Sequence, residues 1–483
     1  MNLLVIGIGG DQFTSEIIDR LSEHVYVDKI FGSTDVTEHA STKFAILLDC
    51  HKFESEDFSK SEYSSFIDLK LYNEISSFEG EVLRMMDRLK IFQGKEGDSF
   101  TRRRIFLFRL AAFWSNFLSE NRINAVVFGN TPHEVYDFVI YGLCKKRGIS
   151  TLFFNDAGNI LTSTVLIAEN IENTGDLALG LKLISTFTPK LRDTHYKQIE
   201  SDLNNRIQDL TGRSDSPHFQ NTFDSKFKKV KLVSNFIRIL SPLLHPRRTA
   251  SVQTEIFIRK QFAKSQLQSS RFATNLLAED NYVYFPLHVQ PELSTSPAGL
   301  HFAEQLEAIR FISENLPGNW RLVVKEHPDV TKLRMSRSGN FYKSIREFPN
   351  VDLLASYVSH DDLVYGARAI ATISGTPGLD AVLNGKPAWL LGYAWFQEAP
   401  GIFKIGDSGS INDAVQACTQ WTKPDTFPMK RFIHDVQRAT VNATIWGSPM
   451  DLGADETAIR RRATVFNVSE IIIAWISSKA SKT

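Results

Sequence analysis

The sequence predicts an α/β protein made of two parallel-sheet units with a polar stretch between them. Three observations carry this. Short apolar runs alternate with stretches of helical periodicity up to about residue 185; the alternation stops over 186–280; and it resumes at 281. Strands that alternate with helices cross over to pair in parallel, and a parallel sheet needs helices on both faces. The expected organisation is a first unit over 1–185, a helical, partly basic linking segment over 186–280, a second unit over 281–425, and C-terminal helices over 426–483.

The composition agrees with two domains. A chain of 483 residues is too long for one small core, and 35 phenylalanines and 7 tryptophans supply ample core material. Fifty-five basic against 55 acidic side chains leave no formal net charge, which argues against a general nucleic-acid binder. Cys50, Cys144 and Cys418 are few, odd in number and far apart, so neither a disulfide framework nor a cysteine zinc site is expected. The start MNLLVIGIGGDQ lacks a positive n-region, and no apolar run approaches the roughly 18 residues of a membrane span. A cytoplasmic protein is the expectation, with peripheral contact at the inner face of the membrane left open.

In the first unit, NLLVI (2–6) reads as a buried strand and Gly7-Ile8-Gly9-Gly10 as the turn after it. That turn lacks the full G-x-G-x-x-G spacing, so no dinucleotide site follows. FAILLD (44–49), NAVVFGN (124–130) and STLFFND (150–156) are further strands, and 101–120 and 133–146 have helical spacing, the latter stopped by Gly148. In the linking segment, residues 226–248 carry seven basic, no acidic and ten bulky apolar residues. Two readings stay open: a basic amphipathic helix on anionic lipid, or a packed helix with a solvated basic face.

The second unit opens with the strand NYVYFP and the loop FPLHVQPELSTSP (285–297), whose His288, Gln290, Glu292, Ser294 and Thr295 fit a polar ligand or a self-satisfied surface loop. WRLVVKEHP (320–328) then places Lys325 and His327 at a strand end, where they can hold phosphate. ATISGTPGLDAVLNGKP (371–387) runs from strand into helix: Ser374, Gly375 and Thr376 lead to Pro377 at the first helical position, and Asp380 lies one turn in. Such a terminus either binds an anion or is simply capped. In the first unit the same position is held by GNTPHE (129–134) and NDAGN (155–159). They supply His133, Glu134 and Asp156 as candidate bases or nucleophiles. Capping and turn roles stay open for all three. No Asp-x-Asp occurs in the second unit, so neither a metal nor a cofactor is expected.

FPLHVQPELSTSPAG, W-RLVVKEHP and TISGTPGLDAVLNGKP, in that order, resemble the capsule and surface-polysaccharide biosynthesis proteins of bacteria, and PHEVYDFVIYGLCKKRGISTLFF is similar to their amino-terminal half. The resemblance implies a GT-B glycosyltransferase, with two Rossmann-like domains facing across a cleft and a nucleotide-sugar held mainly by the second. It implies a glycan or lipid-linked glycan acceptor, and a donor such as a CMP-activated Kdo or another ulosonic acid. By likeness to sialic acid and Kdo transferases, His327-Pro328 and Ser374-Gly375-Thr376 would hold the nucleotide. NDAG is similar in place to an acidic-Gly motif, which makes Asp156 the implied catalytic carboxylate; Asn155-Asp156-Ala157-Gly158 departs from a clear acidic-acidic-Gly motif. Two alternatives remain: a teichoic-acid-type polyol-phosphate transferase, and a non-catalytic nucleotide- or carbohydrate-binding assembly component.

Overall fold

The structure, a computed structural model, describes residues 1–8, 11–33, 45–48, 67–92, 99–157, 164–190, 281–327, 337, 339–354, 358–422, 424–445 and 454–481. Of the expected linking segment 186–280, residues 191–280, with the basic stretch 226–248, lie outside these residues, as do Gly9, Gly10, Gly158 and Pro328.

The first unit contributes strands β1 (Asn2–Ile6), β2 (Lys29–Ser33), β3 (Ala45–Leu48), β4 (Ile123–Phe128), β5 (Ser150–Asp156) and β6 (Thr164–Ala168). Their order is β6-β5-β4-β1-β2-β3, parallel except that β6 runs antiparallel to β5. The helices are α1 (Asp11–Ser22), α2 (Leu69–Ser76), α3 (Glu79–Met85), α4 (Phe100–Glu120), α5 (Val135–Arg147) and α6 (Leu177–Ile184). The apolar face of α4, with Phe106, Leu107, Leu110, Trp114 and Leu118, packs with α2, α3 and α5 on Val126, Phe128 and Phe153. Gly148, at φ 67°, ends α5 where the sequence places the stop.

The second sheet contains β7 (Asn281–Pro286), β8 (Trp320–Lys325), β9 (Val351–Leu354), β10 (Ala369–Thr372), β11 (Ala388–Leu390) and β12 (Ile402–Lys404). All six are parallel, in the order β12-β11-β10-β7-β8-β9. Its helices are α7 (Gln305–Asn315), α8 (Gly339–Ile345), α9 (His360–Gly366), α10 (Pro377–Leu383) and α11 (Ser408–Thr419). Ile309, Ile312, Tyr342 and Ile411 cover one face from α7, α8 and α11, and Leu363, Leu379 and Val382 cover the other from α9 and α10.

The chain then returns to the first unit. Helix α12 (Phe427–Arg438) packs on α6, strand β13 (Val441–Asn442) pairs antiparallel with β6, and α13 (Ala454–Ala480) lies against α1. Val468, Ile471, Ile472, Trp475 and Ile476 of α13 are part of the first unit's core. Four strands were not anticipated, β2, β6, β12 and β13. Both sheets have the doubly wound order in which the chain changes direction between two central strands, β1/β4 and β7/β10. Ligands in such sheets bind at the carboxyl ends beside that switch. The fold is the GT-B-like pair of Rossmann-like units. Among the described residues, no helix is long and apolar enough to cross a membrane.

Candidate functional site

At the second switch point, the loop after β7 is tied to the end of β10. His288 donates its backbone N–H to Gln305 Oε1 at 2.8 Å, and Gln305 Nε2 donates to His288 O at 3.1 Å and Gln290 Oε1 at 2.9 Å. The His288 ring meets Thr372 Oγ1 at 2.9 Å through Nε2, and that hydroxyl oxygen accepts Gly375 N–H at 3.0 Å. With no other acceptor for its proton among the described residues, the Thr372 hydroxyl donates to Nε2. Nδ1 is then a buried N–H without a partner among the described residues. Burial, with the charges of Arg337 and His327 nearby, pushes His288 down to about 3, so the ring is neutral. Gly375 is needed for this contact, since a Cβ there would stand 2.7 Å from His288 Nε2.

The KEHP cluster divides between the two faces of the sheet. Alternation along β8 sends Leu322, Val324 and Glu326 toward α7 and α8, and Val323 and Lys325 toward α9 and α10. Glu326 is the anchor of its side. Its carboxylate accepts from Arg337 Nε at 2.9 Å, Tyr342 OH at 2.6 Å and the His327 backbone N–H at 2.7 Å. Arg337 also donates to His288 O and lies 4.7 Å from the Phe341 ring centre, so Glu326 and Arg337 are joined through hydrogen bonds to the start of the loop after β7. Lys325 is only 7% exposed, and no carboxylate stands within ion-pair distance of it among the described residues. Burial lowers its pKa and Asp361 opposes the shift. His327 is half-buried.

After β10, Ser374 Oγ donates to Ser294 O at 2.9 Å, and Thr295 Oγ1 donates to Glu292 O at 2.9 Å, so the 290s loop uses part of its polar groups on itself. Thr376 is exposed, and its hydroxyl makes no capping bond to α10; Asp380 is exposed one turn in. The structure therefore brings His288, Gln290, Lys325, His327, Ser374, Gly375 and Thr376 to one end of the second sheet.

Across from it, the turns after β1 and β4 touch. Gly129 N–H donates to Ile6 O at 2.7 Å, and a Cβ on Gly129 would fall 1.8 Å from Gly7 O. Thr131 Oγ1 donates to Asn155 Oδ1, which links the ends of β4 and β5. His133 Nδ1 is 2.7 Å from Thr131 O; a carbonyl only accepts, so Nδ1 carries the proton and Nε2 is the basic nitrogen. Nε2 lies 3.5 Å from Glu134 Oε1, which is held at 2.8 Å by Arg88 Nη2. Burial lowers the pKa of His133, and the carboxylates of Glu134 and Glu292 oppose that shift. Glu292 belongs to the second unit, so the 129–134 and 287–296 loops face one another. Beneath them the carboxyl of Asp137 faces the backbone N–H groups of His133, Glu134 and Phe138. Burial, with Glu134 close by, raises its pKa well above the usual carboxylate range.

Asp156 is exposed at the end of β5, but alternation sends Asn155 toward α5 and Asp156 to the opposite side. It is not grouped with His133. Sequence reasoning missed Gln305, Glu326, Arg337, Tyr342 and Thr372 on one side and Arg88, Thr131, Asp137 and Asn155 on the other. Glu326, Thr372, Thr131 and Asn155 carried a signal, lying inside KEHP, ATISGT, GNTPHE and NDAGN; Gln305, Arg337, Tyr342 and Arg88 lay in no motif.

Residues 282–412 match the family described as capsule polysaccharide biosynthesis protein. Among solved structures the chain is similar to Thermosulfurimonas dismutans KpsC, β-Kdo 2,7 transferase, at 11% identity and TM-score 0.33, covering 97% of this chain and 99% of that one. It is also similar to UDP-GlcNAc 2-epimerase from Methanocaldococcus jannaschii, at 13% identity and TM-score 0.26, covering 90% and 99%. No curated protein matches this chain in sequence.

Proposed function

We propose that this chain, whose second unit is that of the capsule polysaccharide biosynthesis family, is a glycosyltransferase that moves a sugar from a nucleotide donor to a surface-polysaccharide acceptor. The observation that supports this best is the pair of facing strand-end loops. One presents cations and hydroxyls without a carboxylate ion pair at Lys325. The other presents a neutral histidine whose Nε2 can take a proton. Sugar transfer needs both, a holder for the donor phosphate and a group that activates the acceptor hydroxyl. The donor proposed is a CMP-activated Kdo or another ulosonic acid.

On this reading Lys325, His327 and the Ser374–Thr376 turn hold the phosphate, Gln290 and Glu292 border the donor, Asp380 accepts sugar hydroxyls, and His288 and Gly375 fix the turn. His133 Nε2 takes the acceptor's proton as its oxygen attacks the anomeric carbon and the nucleotide leaves. Asp156 is the carboxylate that carries the sugar if the transfer passes through a covalent intermediate. No metal is needed for the charge on the leaving group, because these cations and N–H groups oppose it. The acceptor is a glycan or lipid-linked glycan at the inner face of the membrane, where the segment 226–248 is the proposed contact.

The test is a panel of CMP-, UDP- and GDP-linked sugars with product analysis, run with and without a chelator. Transfer from a CMP-linked acidic sugar, insensitive to chelation and with no phosphorus in the new bond, is expected. Phosphorus in the linkage overturns the sugar-transfer reading. Retention of configuration with an inactive Asp156→Asn variant assigns Asp156 the covalent role; inversion with an active variant removes it.

A further inference from the structure

We propose that Lys325 and His360 together form an anion subsite for the donor, on the face of the second sheet that α9 covers. The proposal rests on the transferase reading and adds a residue, His360, that no motif singled out. Its first support is the burial of Lys325. An ammonium taken out of water needs a counter-charge, and a lysine exposed by 7% ordinarily has a carboxylate beside it. Among the described residues no carboxylate comes within ion-pair distance of Lys325; Asp361 acts on it only from farther away. Lys325 is the last residue of β8, at the end of the sheet where ligands bind.

The second support is the orientation of His360. Its Nδ1 lies 3.2 Å from the hydroxyl of Tyr284, a residue 1% exposed. Burial raises the pKa of Tyr284, so the hydroxyl keeps its proton, and with no other acceptor among the described residues it donates to Nδ1. The remaining ring nitrogen, Nε2, then carries the proton and is a donor. Lys325 lies near enough to depress the pKa of this ring. Lys325 follows Val323 on the face of β8 that also carries Tyr284 of the paired strand β7, so the ammonium and the ring held by Tyr284 share one face at the strand end, and neither offers an acceptor. Anionic oxygens complete such a pair. In a nucleotide-linked acidic sugar they come from the phosphate or from the sugar's carboxylate.

The experiment measures binding of CMP, cytidine, inorganic pyrophosphate and a CMP-linked acidic sugar to the full chain and to Lys325→Met, Lys325→Arg and His360→Gln. Lys325→Met should weaken binding of the phosphate-bearing probes about ten- to hundredfold, the range of a charge-assisted bond. His360→Gln should weaken it less, Lys325→Arg should restore part of it, and cytidine should bind all forms alike. Lys325→Met should also melt at the same or a higher temperature than wild type, since an uncompensated buried charge is removed. A lysine with a purely structural role would give the reverse. A deficit confined to the CMP-linked acidic sugar supports the subsite with the carboxylate as its anion. Variants that bind every probe as wild type overturn the subsite and leave the transferase reading in place. A wild type that binds none of the four overturns it as well. Pyrophosphate binding that depends on Lys325, in a protein that transfers no sugar, keeps the subsite and removes the transferase reading.

Discussion

The two loops that face one another, 129–134 and 287–296, each place a histidine beside a switch point and treat it differently. His288 is 7% exposed, its backbone is bracketed by Gln305 and Arg337, and its Nε2 is held by Thr372. His133 is fixed through Nδ1 to Thr131, while its Nε2 remains a basic nitrogen beside Glu134. Burial lowers the pKa of both rings. A depressed pKa therefore does not by itself identify a catalytic histidine. What separates the two is the partner of Nε2: Thr372 holds that of His288, which makes the ring a strut of its own loop, whereas on the proposed reading that of His133 takes the acceptor's proton.

The largest effect should come from the body to which His288 is tied. Glu326 has a side chain without exposure and is paired with Arg337, which is 8% exposed. Glu326→Ala leaves that arginine buried and unpaired, so denaturant unfolding should show a loss of about 3–5 kcal/mol. A loss within the range of an ordinary surface substitution would mean that the donor loop does not depend on this anchor.

On the facing loop, the expected loss is of rate. His133→Gln should reduce turnover by at least about a hundredfold, the low end for a general base. Because burial lowers the His133 pKa, the basic form persists to lower pH than in an ordinary histidine. The acid limb of kcat/KM should then lie below about pH 6.5, with activity falling as pH drops through it. An acid limb above that value, or none, would assign the base elsewhere.

A smaller lesion separates the loops by their glycines. Gly375→Ala brings a methyl to 2.7 Å from the His288 ring, which can give way, so a cost of about 1–3 kcal/mol is expected. Gly129→Ala meets the main chain of Gly7 at 1.8 Å and should cost more. Thermal melting of the two variants checks the order, and the reverse order would show that the donor loop is the more rigid.

The apolar strands were legible because burial on both faces writes them as continuous runs, as in NLLVI and WRLVVK. Strand β13 was not, since two residues have no period and become a strand only by pairing with β6. The site was legible as a place rather than as a set of contacts. KEHP, SGT and GNTPHE end their strands as expected, but sequence does not say which face a strand-end residue takes. Glu326 was passed over beside Lys325, although one residue of alternation gives it an opposite and wholly buried environment. Thr372 reads as a β-branched core residue until His288 is placed against it. Arg337 and Tyr342 lie 11 and 16 residues beyond Glu326 and reach it only through the fold.

The central claim is a division of labour, with donor binding in the second unit and proton transfer in the first. Donor affinity and turnover measured side by side in His327→Ala and His133→Gln test it most directly. The account predicts that His327→Ala loses about 1.5–3 kcal/mol of nucleotide affinity, the value of a charge-assisted contact, and that His133→Gln binds donor as wild type but fails to transfer. Wild-type nucleotide affinity in a folded His327→Ala, or a loss of donor affinity in His133→Gln, would contradict it.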